Sequence, residues 1–380
     1  MLMEVYSIMK RIFKELIIYL AAGLTVWLCI LIISKGNSIF SQTTKAIERC
    51  LNVIIPSLFS FMAISAIIIN TKLYQYISKP FYPITKYIMK MPNNLFFIFL
   101  LGNISGYPVG AKLLVELKNK GVIDKKTAEI MSCFCYGGGP AFFTGVIGLT
   151  VYNNTKIGIL IFLSVIISNF LLACIMCRIF NLKCSETDKK IIFNSDNIIQ
   201  AIISTGKSLF IICITIIFFA VFMALFDNES IVGLIKQSGL SQDIDILIKS
   251  FLEISNISDI SPKSLDIIPL IAGICSFGGL CVLMQVKAIV RNTYSLKLFF
   301  FSRIVGFTLS TIICNIILHY FHERIVTASS EKIIISSVPN NIIPSICLIS
   351  MIFIIGLREQ INFSSKRKKL SSHDMKTAQY

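Results

Sequence analysis

Two polar, glycine-bearing interruptions constrain this chain most: Asn103-Ile104-Ser105-Gly106-Tyr107-Pro108-Val109-Gly110-Ala111-Lys112, and Cys135-Tyr136-Gly137-Gly138-Gly139-Pro140. Both lie inside apolar stretches of membrane length. A helix broken in lipid exposes unpaired N–H and C=O groups, so such a break persists only where protein buries it or where it lines a solute-filled cavity. The pattern therefore points to a transporter.

Composition places such breaks in a membrane. With 55% hydrophobic residues over 380 and a mean hydropathy of +0.77, one soluble core would leave much apolar surface in water. Charge-free runs long enough for a hydrocarbon layer of roughly 30 Å occur at 16–34, 51–70, 91–111, 130–155, 157–177, 208–226, 267–286, 304–322 and 333–357. The first is too long, and lacks a small-x-small site, to read as a cleaved signal.

Charge placement sets the orientation. Lys10, Arg11 and Lys14 precede the first span; Lys72, Lys79, Lys86 and Lys90 follow the second; Lys287, Arg291 and Lys297 form an acid-free loop; Lys366, Arg367, Lys368 and Lys369 lie in the tail. The positive-inside rule places all four regions in the cytoplasm. Between 227 and 266 three lysines face seven acids, so that segment belongs on the far side. These sides agree if 91–111 is a re-entrant half-helix and eight crossings remain. The formal charge of +16 is thus read as topology, with no nucleic-acid partner.

The expected fold is an all-α polytopic membrane protein of about eight transmembrane helices plus re-entrant or broken helices, in two repeated, inverted halves. The divisions are an N-terminal helix and connector (1–44), a first repeat (45–180), a second repeat (181–321), a C-terminal span (322–360) and a basic cytoplasmic tail (361–380). The repeat rests on element order: a long helix opening at Pro56-Ser57-Leu58-Phe59 or Lys207-Ser208-Leu209-Phe210, then a polar-ended element, then a Gly-rich one.

Ten of the twelve cysteines sit in apolar runs and read as small buried hydrophobes. Cys133-Phe134-Cys135 and His319-Tyr320-Phe321-His322 lack a second ligand pair, so no metal or other cofactor is expected. HExxH, GxSxG and Walker signatures are absent, which argues against an enzyme.

The run Cys50-Leu51-Asn52-Val53-Ile54-Ile55-Pro56-Ser57-Leu58-Phe59, the SGYPVGAK run at 105–112, Gly138-Gly139-Pro140-Ala141-Phe142 and Gly278-Gly279-Leu280-Cys281-Val282-Leu283-Met284-Gln285 closely resemble the sporulation integral membrane proteins of the YlbJ type. That family belongs to the nucleoside-recognition or Gate-domain group, similar in design to concentrative nucleoside transporters. The resemblance implies an endospore-forming bacterium, the outer forespore membrane, and passage of dipicolinic acid from the mother cell toward the spore. At Tyr136-Gly137-Gly138 the chain departs from the Asn and Ser that the family tends to carry.

An anionic solute fits the motifs. Half-helix N-termini offer free N–H groups and about half a positive charge each. Gly106, Gly110, Gly137, Gly138 and Gly139 allow close backbone approach. Lys112 adds a charge, Tyr107 and Tyr136 add ring faces and hydroxyls, and Ser105 begins the motif. Glu253, Ser255, Asn256, Gly278, Gly279 and Gln285 are their candidate counterparts in the second half. Structural alternatives stand beside these. Pro108 and Pro140 could simply kink packed helices; Lys112 and Arg303 could snorkel to headgroups; Glu253 is a relay or cation ligand, or an interfacial acid; Gln285 meets either solute or helix. The expected partners are a small anionic solute and the bilayer, with monomer or homo-oligomer left open. A membrane scaffold acting through its basic tail is the competing function.

Overall fold

The computed structural model describes residues 2–185, 195–226, 242–260 and 265–329. The expected crossing at 333–357, the basic tail and much of the acidic 227–266 segment lie outside these residues. Everything described is helix, turn or loop apart from one isolated bridge between Ile123 and Cys184. The chain is a polytopic helical membrane protein.

Helix α1 (Leu2–Ser34) runs into α2 (Gly36–Arg49) through a bend of 85°. Residues 36–44, expected as connector, are therefore helical. After a π-wound turn at Cys50–Ile54 comes α3 (Ile55–Asn70), whose second residue is Pro56, set where the π-wound segment gives way to regular helix. Short turns follow: α4 (Tyr74–Ile77) and helical segments at Lys79–Phe81 and Ile84–Met89. Here Tyr76, Tyr82 and Tyr87 are exposed, and the Lys79 ammonium lies 4.4 Å from the Tyr76 ring centre, as an interfacial connector requires.

Helices α5 (Phe96–Ile104) and α6 (Tyr107–Asn119) are two parts of one interrupted element, followed by α7 (Lys125–Ser132). Asp124 starts α7 by accepting a hydrogen bond from Thr127 N at 2.8 Å, an ordinary N-cap. The apolar run at 130–155 is not one helix. Its first helix, α7, ends at Ser132, the chain passes through non-helical backbone at the three glycines, and a π-wound helix follows at Phe142–Val151. Helices α8 (Thr155–Ile179) and α9 (Ser195–Phe226) are long and apolar. They are followed by α10 (Gln242–Leu252), a 3₁₀ turn at Ile254–Asp259, α11 (Ile268–Phe277), α12 (Gly279–Val290) and α13 (Lys297–Ser329).

Among the described residues four helical stretches are long and apolar enough to cross a membrane, or up to six if each bent pair forms one span. Helix α13 packs along α8 and α11, α9 packs on α2 and α3, and α6 packs on α12. The interrupted element around Gly106 therefore meets the one around Gly278, while large apolar residues of α1 such as Leu16, Leu20, Leu24 and Trp27 remain exposed for lipid.

Candidate functional site

The first break turns on Gly106. Its φ of +105° and ψ of 156° suit glycine alone, and a Cβ there would come within 2.6 Å of the Leu58 side chain. Ser105, fully buried, shares a hydrogen bond of 3.1 Å with Ser65, which ties the break to α3. Just before it, Asn103 donates to the carbonyls of Phe99 at 2.8 Å and Phe134 at 3.0 Å. Asn169 of α8 then donates to Asn103 Oδ1 and to the Tyr136 carbonyl, both at 2.7 Å. Two asparagines thus satisfy backbone that the second break leaves without helical partners.

The third break, at Gly278, is held from three directions. Helix α11 ends with orphan carbonyls, as any helix does, and three successive ones are capped by side chains from elsewhere. Tyr107 donates to Cys275 O at 2.9 Å, Arg303 Nη1 to Ser276 O at 3.3 Å, and Tyr136 to Phe277 O at 3.1 Å. Arg303 Nη2 also donates to the Cys133 carbonyl at the end of α7. The guanidinium lies 4.5 Å from the centre of the Tyr136 ring and 5.2 Å from that of Phe299. Arg303 is fully buried, so it does not snorkel, and it is not among the residues that line the cavity described next. Its charge sits at two helix C-termini, where the peptide dipoles favour a cation.

Between the first two breaks and the Ile254–Asp259 turn lies a cavity of about 280 Å³. Its walls are largely apolar, with Ile54, Leu58, Phe142, Val146 and Ile212 among them. Polar groups concentrate in a few residues. Arg49, at the end of α2, donates to Ser255 Oγ at 2.5 Å, and Ser255 N donates to Glu253 Oε1 at 3.2 Å. One serine therefore bridges a cation and an anion on the cavity wall. Gly106, Tyr107 and Pro108 bring the N-terminus of α6 to the same space.

Of the residues singled out in the sequence, Gly106, Tyr107, Gly139, Glu253, Ser255 and Gln285 line this cavity. The others lie behind it. Lys112 is buried between α6 and α9, where it donates to Thr205 Oγ1 at 3.0 Å and lies 3.9 Å from Glu116, far from a headgroup-reaching pose. Tyr136 uses its hydroxyl on Phe277 O. Gly110 packs against the Cys135 carbonyl, Gly137 against the Asn103 backbone, Gly138 against Phe143 and Tyr107, and Gly278 against the Tyr136 hydroxyl. Gly279 lets the start of α12 approach the backbone of Ser250 and Ile254. Asn256 donates to Lys249 O at 3.2 Å, and Ser105 faces Ser65.

Arg49 and Asn169 escaped the sequence reading. Arg49 immediately precedes the Cys50–Phe59 motif but looks like one more basic residue beside a span; Asn169 is a lone amide in an apolar run, a polar residue that membranes make expensive.

The comparisons with known proteins bear on this architecture. Over 142 residues the chain is 26% identical to the sporulation integral membrane protein YlbJ of Bacillus subtilis (strain 168). That match covers 37% of this chain and 35% of the relative, so the chain spans about a third of the length of the protein it matches. No family model matches the chain, and no solved structure does. The chain is a polytopic helical membrane protein similar, over that stretch, to the sporulation integral membrane protein YlbJ.

Proposed function

We propose that the chain is a permease for a small aromatic carboxylate, dipicolinate in the first place, working without ATP across the outer forespore membrane during sporulation, with both termini on the mother-cell side. The observation that carries this reading is Arg49 on a largely apolar cavity, bounded by two helix breaks, whose other polar groups include Glu253, Ser255 and Gln285. A planar ring suits the apolar walls, and a carboxylate suits the guanidinium and the N-terminus of α6. At about 280 Å³ the space falls at the lower edge of ligand pockets, roughly 300–1,000 Å³, which favours a solute of one ring. The name of the relative supports the sporulation setting.

Arg49 is the test. A hydrogen bond to a charged group contributes about 1.5–3 kcal/mol, so Arg49→Gln should weaken dipicolinate uptake by about tenfold or more. Arg49→Lys, which keeps charge but loses the planar fork, should fall between. Initial rates in vesicles containing the purified protein measure this. Native rates in Arg49→Gln would remove the guanidinium from the solute site.

A further inference from the structure

Glu253 presents the cavity with an acceptor that lacks a strong donor. The residue is 3% exposed, its Oε1 is occupied by Ser255 N, and beside its Oε2, which has no nitrogen or oxygen donor, stands only the Cys281 thiol. The titratable groups that interact with it from the surrounding elements are Cys50 after α2, Tyr107 of α6, Tyr136 of the second break and Cys281 of α12; Arg49 reaches it through Ser255. Tyr107 and Tyr136 spend their hydroxyl protons on Cys275 and Phe277 carbonyls. A thiol such as that of Cys281 is at best a weak donor, so Oε2 is open to a stronger one brought by the solute.

Resting on the permease reading, we infer that the cavity takes an aromatic diacid carrying one proton: one carboxylate lies on Arg49, and the second acid group is hydrogen-bonded to Glu253 Oε2 through that proton. Two carboxylates facing each other in an apolar space cannot both stay ionised at reasonable cost. One shared proton turns that repulsion into a charge-assisted hydrogen bond. Glu253 is then a specificity-determining residue that selects the singly protonated acid and makes one proton accompany each solute. No bond other than hydrogen bonds forms or breaks.

Vesicles holding the purified protein and labelled pyridine-2,6-dicarboxylate outside provide the test. The singly protonated share of such an acid rises about tenfold for each pH unit lowered, so native uptake should climb steeply between pH 8 and pH 6. Glu253→Gln offers an amide N–H and accepts the dianion. Its uptake should exceed native at pH 8 and be nearly flat with pH. Uptake by the native protein that does not change with pH overturns the inference while leaving the permease reading intact, and this arm needs no variant. A Glu253→Gln protein that keeps the native pH profile overturns it equally. Absence of uptake at every pH in both proteins would instead remove the permease reading on which it rests.

Discussion

Replacing Gly139 by valine is expected to stop solute uptake, by tenfold or more, while leaving the protein in the membrane at its normal amount. Gly139 lines the cavity, and a Cβ on it would meet nothing closer than the Ile104 carbonyl at 3.5 Å and Gly106 N at 4.0 Å. The backbone there accepts a side chain, and the added isopropyl group takes up space meant for the solute. Gly110 is the contrast. Its Cβ would overlap the Cys135 carbonyl, so even Gly110→Ala should reduce the folded protein itself, because α6 could no longer approach the second break. Quantifying membrane-inserted protein beside uptake separates the two. Equal loss of protein in Gly139→Val and Gly110→Ala would make both glycines packing residues.

Arg303→Met should be strongly destabilising. It strips the side-chain donor from the Ser276 carbonyl, a buried group that costs about 1–3 kcal/mol when left unpaired, leaves the Cys133 carbonyl only the long bond of 3.4 Å from Ser302, and removes a cation stacked on Tyr136 and Phe299. Lysine restores charge but cannot span both carbonyls with a planar fork, so Arg303→Lys should recover only part of the loss. The midpoint of thermal unfolding in detergent reports this directly. An unchanged midpoint in Arg303→Met would mean that the three-carbonyl cap on α11 contributes little to the fold.

These residues also show how far the sequence is legible. The breaks at Gly106, Gly137 to Gly139 and Gly278 can be read from glycine and proline set in apolar runs, since no other residues tolerate a reversal of φ or a missing N–H so readily. Which glycine faces solute cannot be read that way. Gly139 opens to the cavity while Gly110, in the preceding motif, is covered by Cys135 backbone, and only tertiary contact separates them. Charged residues show the same limit. Lys112 carries a charge inside the most specific motif, yet its partners are Thr205 and Glu116; Arg49, which looks like part of a basic flank, lines the cavity because α2 leaves α1 at 85°. Sequence spacing conveys the local break, and the path of the chain between breaks decides which side chains share a site.

The central claim is that this chain alone carries a small aromatic carboxylate through the cavity beside Arg49. Uptake of labelled dipicolinate into vesicles containing only the purified protein tests it most directly. The account predicts saturable uptake without ATP, competed by unlabelled dipicolinate and lost in Gly139→Val; uptake no greater than in protein-free vesicles, from native protein that is inserted and folded, would contradict it.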